Sequence, residues 1–253
     1  MKSKVEILFT PADFAALAGR DLSSTVCVVF DVLRATSSIL TALANGAEAV
    51  IPVEDIPEAL AWRQKNPEAL LAGERQGRRI GAQLTGGVEF ALGNSPREYT
   101  ADDVKGRLII STTTNGTRAL RACAGAREIL VGAFLNLGAV AQRLKETAPA
   151  QLIIVCSGTF EETAFEDVLA AGALMELLPP SISDFPESDS VLIARQLYRQ
   201  HAGDLAAALR LARNGAKLFS LPDLRDDVAF CAQRDTLDFV AVLRPDGRIQ
   251  ILR

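Results

Sequence analysis

The stretch Cys27-Val28-Val29-Phe30-Asp31-Val32-Leu33-Arg34-Ala35-Thr36-Ser37-Ser38 changes character within a few residues. The run Val26 to Phe30 reads as a short buried strand, because it is β-branched, uninterrupted and followed by turn chemistry. A helical pattern begins at Ser38-Ile39-Leu40. Asp31 and Arg34 therefore fall just past the carboxyl end of a strand. Thr36 or Ser37 is the expected cap of the next helix, whose free N–H groups face the same crevice. Ligands of open α/β sheets bind at such strand ends. A strand–helix turn with a capping threonine and an incidental ion pair would account for this stretch alone.

The arrangement recurs, and that argues for more. Arg107-Leu108-Ile109-Ile110-Ser111-Thr112-Thr113-Thr114-Asn115-Gly116-Thr117 again runs an apolar strand into hydroxyls and then into a helix, Thr117 to Ala124. Gly46 and Gly125 are placed to stop the two helices in the left-handed conformation before the next strand. A looser third copy is Leu152-Ile153-Ile154-Val155-Cys156-Ser157-Gly158-Thr159, followed by a helix from about Glu166 to Leu178. Three β-loop-α units aiming polar loops at one sheet edge predict an α/β fold. The expected architecture is a three-layer α/β/α arrangement with a mainly parallel sheet and a C-terminal hairpin, Leu237 to Leu243 with Ile249 to Leu252 around Pro245-Asp246-Gly247. Three anion-friendly helix starts in one crevice suit a multiply charged small ligand.

The rest of the chain fits this frame. Its 253 residues suffice for one compact unit, or for two packed α/β lobes at about 1–105 and 106–253. Hydrophobic residues make up 49%, enough to cover a sheet on both faces. No apolar run approaches the ~20 residues that span a bilayer, and no secretory leader pattern opens the chain. The net charge of -4, with no basic stripe, argues against a nucleic-acid surface. Cys27, Cys123, Cys156 and Cys231 form no C-x-x-C pair and read as reduced buried thiols of a cytoplasmic protein. Val5 to Phe9, Ala49 to Val53, Ala69 to Ala72 and Glu128 to Ala133 read as strands. Helices are expected after the caps Thr10 and Asp55, over Leu137 to Thr147, Val191 to Gln200 and Leu205 to Arg213, and within Asp223 to Gln233. Asn214-Gly215 follows the helix that ends at Arg213, and Pro179 to Ser190 reads as a linker or insertion.

Polar loops at the remaining strand ends supply further candidates. Glu74 follows a strand directly and can face Asp31, while Arg75, Arg78 and Arg79 suit phosphate or carboxylate through their guanidinium forks. Glu166-Asp167 opens the third helix and is equally a dipole complement or a ligand pair. The single histidine, His201, cannot supply a His₂ or His₃ zinc site. The Walker pattern is missing too. Carboxylates, hydroxyls and arginines remain, the set that suits Mg²⁺ with a phosphoryl group.

Phe30-Asp31-Val32-Leu33-Arg34-Ala35-Thr36, Gly73-Glu74-Arg75 with Gly77, Leu92-Gly93-Asn94-Ser95-Pro96, Thr112-Thr113-Thr114-Asn115-Gly116-Thr117 and Glu166-Asp167 with Ala171-Gly172 together resemble the 2-phosphosulfolactate phosphatase family. The match in order and spacing runs from about residue 5 to 245. The resemblance implies the family's own α/β fold and a Mg²⁺-dependent hydrolysis of 2-phosphosulfolactate to sulfolactate and phosphate, a step towards coenzyme M. Under that reading Asp31, Glu74, Glu166 and Asp167 hold Mg²⁺, and Asp31, Arg34 and Asp167 form the catalytic set. Arg34 clamps the phosphoryl group, while Thr36, Ser37, Asn94, Ser95, Thr114, Asn115, Gly116 and Thr117 bind substrate. Arg75 selects the carboxylate or sulfonate. Water attacks phosphorus in line. An aspartyl-phosphate on Asp31 is the rival route, disfavoured by Leu33 where a second aspartate would stand. Two other readings are a phosphatase of another phosphorylated hydroxy acid and a non-catalytic binder of an anionic metabolite. The carboxylates at strand ends speak against a pure anion binder. The expected partner is a small anionic phosphorylated substrate, with no nucleic acid and no membrane, and a homodimer is left open.

Overall fold

The computed structural model describes residues 4–180, 182 and 188–252. The strands are β1 (Lys4–Leu8), β2 (Thr25–Phe30), β3 (Ala49–Pro52), β4 (Leu70–Arg75), β5 (Arg78–Arg79), β6 (Leu108–Thr112), β7 (Glu128–Gly132), β8 (Gln151–Cys156), β9 (Ala241–Leu243) and β10 (Ile249–Ile251). The helices are α1 (Pro11–Ala15), α2 (Ala35–Ala44), α3 (Ile56–Lys65), α4 (Ala82–Thr85), α5 (Ala101–Val104), α6 (Gly116–Ala122), α7 (Leu137–Thr147), α8 (Phe165–Leu177), α9 (Asp189–His201), α10 (Leu205–Leu211), α11 (Arg213–Ser220) and α12 (Arg225–Cys231). None of these helices is long and apolar enough to cross a membrane.

The strands form one sheet in the order β1-β8-β2-β7-β9-β10-β3-β6-β4-β5. Strands β1, β8, β2 and β7 are mutually parallel, as are β3, β6 and β4. Between the two sets lies the C-terminal hairpin, antiparallel to β7 on one side and to β3 on the other. Three successive antiparallel pairings make the second parallel set run opposite to the first. The hairpin expected at the end of the chain is thus the joint of the sheet, and its β9 is shorter than the predicted Leu237 to Leu243.

Side-chain alternation sorts the core. Val26, Val28 and Phe30 of β2 pack with α7, α8 and α9, whereas Cys27 and Val29 pack on the other face. That second face shares a core with α2 and α6 and with Val50 of β3, Ile109 of β6 and Ala72 of β4. A third cluster, Ile51, Leu71 and Ile110 with Ala59, lies beneath α3. Helices therefore cover both faces of the sheet, as a three-layer α/β/α fold requires. Helix α2 carries the chain from the first parallel set to the second, and α6 carries it back. The two sets are consequently interleaved along the chain.

Several local expectations hold. Thr10 caps α1 in a capping box with Asp13, and Gly46 and Gly125 stop their helices at φ of +90° and +87°. Others shift. Helix α2 starts at Ala35, with Arg34 at its N-cap and no side-chain cap. Strand β4 runs on to Arg75 because β5 folds back on it. The break after Arg213, at Asn214-Gly215, is the first turn of α11: a Cβ on Gly215 would run into the Leu209 carbonyl oxygen. This glycine serves a close helix approach, not a chain reversal. Half of the expected linker or insertion, 181 and 183–187, lies outside the described residues.

Candidate active site

The loop after β2 is held by its own hydroxyls. Thr36 Oγ1 accepts from the Asp31 N–H at 3.1 Å and donates to the Asp31 carbonyl at 2.9 Å, while Ser37 Oγ donates to the Val32 carbonyl at 2.9 Å. Both hydroxyls are buried and shape the loop; neither lines the cavity described below. They fail as helix caps because the helix begins one residue before them. Asp31 turns its Oδ1 to accept from the Ala35 N–H at 3.0 Å, the first free amide of α2. Arg34 is buried and donates through Nη1 to Asp227 Oδ2 at 2.7 Å and through Nη2 to the Gly77 carbonyl at 2.9 Å. Asp227, fully buried on α12, also accepts from Ser95 Oγ at 2.7 Å. Breaking such a buried pair by removing one partner costs about 3–5 kcal/mol.

The loop after β6 uses the same device with neutral groups. Thr117 Oγ1 donates to the Thr113 carbonyl at 3.2 Å and Thr113 Oγ1 accepts from the Thr117 N–H at 3.2 Å. Thr114 gives both its N–H and its hydroxyl to Glu74 Oε1 at 2.9 Å, and Gly77 N–H donates to Glu74 Oε2 at 2.7 Å. Asn115 Nδ2 donates to the carbonyls of Ser157 at 3.0 Å and Phe160 at 2.8 Å. Its amide donors are therefore already engaged, and its buried Oδ1 has no partner among the described residues. The residue expected to donate to an anion presents an acceptor instead. Gly116 brings the starts of α6 and α2 together: a Cβ there would lie 2.5 Å from Asp31 Oδ2 and 2.6 Å from Ala35 Cβ.

The loop after β8 contributes acids. Asp167 accepts from the Val32 N–H at 2.8 Å on Oδ1, and from Ser157 Oγ at 3.0 Å and Gly158 N–H at 3.2 Å on Oδ2. It ties the first loop to the third. Glu166 accepts from Asn214 Nδ2 of α11 at 2.8 Å.

These loops and α11 surround a cavity of about 170 Å³, walled by Asp31, Arg34, Glu74, Asn94, Asn115 and Lys217 among others. Thr114 also faces it, and α11 adds Arg213 and Asn214. Arg75 is absent from the wall. Neighbouring strand residues point to opposite faces, so Glu74 faces the cavity while Arg75 turns outward to donate to Thr112 Oγ1 at 3.1 Å. Gly116 and Thr117 stand behind the wall at the helix start, as does Ser95 beside Asp227. His201 lies elsewhere, edge-on to Phe165 with ring centroids 5.4 Å apart.

Asp31 and Glu74 are the acids on the cavity wall, while Glu166 and Asp167 stand behind it, and their charges act on one another. Burial pushes Asp31 up to about 6, with Glu74 adding repulsion and Arg34 easing it. Burial, then the Asp31 charge, pushes Glu166 up to about 7 against the Asn214 hydrogen bond. Burial raises Asp167 as well, with repulsion from Glu166 and Asp31 adding to it. Among the described residues no three His, Cys, Asp or Glu side chains stand ready as a closed metal cage. Asp167 and Glu74 commit both carboxylate oxygens to loop N–H and O–H donors, which braces the loops. Asp31 and Glu166 keep more of their capacity, and the Asp31 charge acts on Glu166. Two such hard oxygen donors fit Mg²⁺, which commonly binds through one or two carboxylates and keeps several waters.

Sequence reasoning missed Asp227, Asn214, Arg213 and Lys217. Arg213, Asn214 and Lys217 sit at helical spacing, one turn apart, but Asn-Gly in their midst reads as a turn. Asp227 carries no signal of its own, since acids near a helix start are ordinarily dipole complements.

A family model described as 2-phosphosulpholactate phosphatase matches residues 14–246. A protein of Symbiobacterium thermophilum, named probable 2-phosphosulfolactate phosphatase, is 41% identical over 92% of this chain and 96% of its own length. Proteins of the same name from Caldanaerobacter subterraneus and Deinococcus radiodurans are 38% and 39% identical, over 94% and 87% of the chain and 95% and 88% of their own lengths. The family match over most of the chain and this level of identity over nearly the whole length of the relatives agree, and the chain belongs to the 2-phosphosulfolactate phosphatase family.

Proposed function

We propose that the protein is a phosphoric monoester hydrolase that converts 2-phosphosulfolactate to sulfolactate and phosphate with Mg²⁺, its product feeding coenzyme M formation. The observation that carries this reading is the convergence of the buried carboxylates Asp31 and Glu74 and of cations on one small cavity, with Glu166 behind its wall, bonded to the lining residue Asn214. Asp31 and Glu166 would hold the metal. When bound, Mg²⁺ supplies a Lewis acid for the phosphoryl oxygens and neutralises part of their charge.

The remaining roles belong to the chain. Arg34, anchored by Asp227 and Gly77, has N–H groups left over for the phosphoryl oxygens; its fork is held in advance, so little freedom is lost on binding. Asp31 stands at the start of α2 as the acceptor for the proton of the attacking water. The departing sulfolactate oxygen takes up that proton, and Asn115 Oδ1 is an acceptor for the hydroxyl so formed. Glu74 and Asp167 brace the three loops.

Phosphate release from 2-phosphosulfolactate tests the reading. The expected result is turnover that exhaustive EDTA abolishes and added Mg²⁺ restores. Activity undiminished by EDTA would remove the metal from the mechanism. Turnover of another phosphorylated hydroxy acid in place of 2-phosphosulfolactate would reassign the substrate.

A further inference from the structure

The three cations that reach the cavity are not equivalent. Arg34 is neutralised by Asp227 at 2.7 Å, both side chains being buried. Arg213 pairs with Glu162 at 2.6 Å and donates to the Thr159 carbonyl at 3.0 Å. Lys217 is one turn further along α11, and among the described residues no carboxylate lies within ion-pair distance of it. Its Nζ donates to the Gln76 carbonyl at 2.9 Å. Its stem lies over Gly77, where a Cβ would stand 3.7 Å from Nζ.

Gly77 is also the residue whose carbonyl accepts from Arg34. The two cations thus reach adjacent carbonyls of one turn, Arg34 from the buried side and Lys217 from the exposed side. An unpaired exposed lysine is ordinarily a solvated charge. Here the side chain is pinned at the cavity wall, and an ammonium bonded to one carbonyl keeps two further N–H donors. A substrate with a phosphate and a second acid presents charges at two ends. The buried, pre-neutralised arginine suits the end that reacts; the unpaired lysine suits the end that does not.

Resting on the phosphatase reading, we infer that Lys217 is the specificity-determining residue that binds the substrate's second acidic group, its sulfonate or carboxylate. The selective role that the sequence pattern gave to Arg75 falls to helix α11 instead, since the Arg75 guanidinium, at the end of β4, is bound to Thr112 and is absent from the cavity wall.

Steady-state kinetics of K217M and K217R on three substrates test this. 2-Phosphosulfolactate carries both acids, 2-phospholactate only the carboxylate, and phenyl phosphate neither. Loss of one charge-assisted hydrogen bond should raise KM for 2-phosphosulfolactate about tenfold more than for phenyl phosphate. K217R should recover most of it. A penalty that persists on 2-phospholactate identifies the carboxylate as the group bound, and one that vanishes there identifies the sulfonate. A penalty equal on all three substrates, or none, overturns the inference, since a lysine that merely braced the turn would act alike on every phosphate ester. Calorimetric binding of sulfolactate separates this inference from the reading beneath it. Weaker binding to K217M, with no turnover of 2-phosphosulfolactate by the unaltered protein, would sink the phosphatase and leave the lysine's role standing. Equal binding to both proteins would overturn the inference even if turnover is found.

Discussion

The β2–α2 unit and the β6–α6 unit are built alike and stand in different surroundings. In each, a buried strand ends in a loop to whose backbone a threonine, the second residue of the helix, bonds back: Thr36 to Asp31 in the first and Thr117 to Thr113 in the second. The first loop carries ionisable groups, Asp31 and Arg34; the second carries only Thr113, Thr114 and Asn115. Helix α2 is buried along nearly its whole length, whereas α6 turns Arg118 and Arg121 to solvent. Repetition of local geometry has not repeated the electrostatics. One unit supplies charge to the cavity, and the other supplies neutral hydrogen-bonding groups that hold Glu74 and the 157–160 loop in place.

Replacing the charge of the first unit should break the comparison most severely. Asp31→Asn is expected to lower kcat/KM by about 10³-fold or more, the loss typical when a group aimed at the reacting centre is removed. Burial and neighbouring acids already disfavour the ionised form of Asp31, so the same change should leave thermal stability unchanged or raise it. A drop in the melting temperature alongside the lost activity would return Asp31 to a structural role.

The junction of the two units is the next point of attack. Gly116→Ala would drive a methyl group into Asp31 Oδ2 and Ala35 Cβ. Overpacking of this kind costs about 1–3 kcal/mol. A shift of the order of an ångström at a reacting group can cost about 10²-fold in rate. Thermal melts and kinetics of one preparation would check both, and an active, fully stable variant would show that the two helix starts are free to separate.

The smallest effect sharpens the comparison. Thr36→Val and Thr117→Val each remove a hydroxyl that links helix to loop, and each should cost about 1–2 kcal/mol in urea denaturation. Similar costs would confirm the two threonines as structural equivalents. A cost for Thr36 several times larger would mean that the deeper burial of α2 governs stability more than the shared hydrogen-bond pattern does.

Much of this was readable from residue order. The strand β2, the loop bearing Asp31 and Arg34, the repeat at Thr112 to Thr117, the stops at Gly46 and Gly125 and the acids Glu166 and Asp167 all follow from periodicity, capping and turn chemistry, which act over a few residues. Glu74 was found for the same reason, by its place near a strand end. Arg75 shows the limit of that reasoning: neighbouring residues share a motif in sequence while strand alternation sends them to opposite faces.

What the chain order could not decide is which distant pieces meet. Asp227 reaches Arg34 across 193 positions, and Lys217 reaches Gln76 across 141; no local pattern records either pairing. The hairpin that ends the chain is legible as a hairpin, yet its place in the middle of the sheet depends on the backbone edges that β7 and β3 leave open. Sequence alone determined the local units and the residue types at their ends, because hydrogen bonding and side-chain periodicity act within a turn or a strand. Tertiary structure alone decided that α11 walls the cavity, and that Asn115 offers an acceptor where a donor was expected. Both depend on burial and on partners contributed by remote segments.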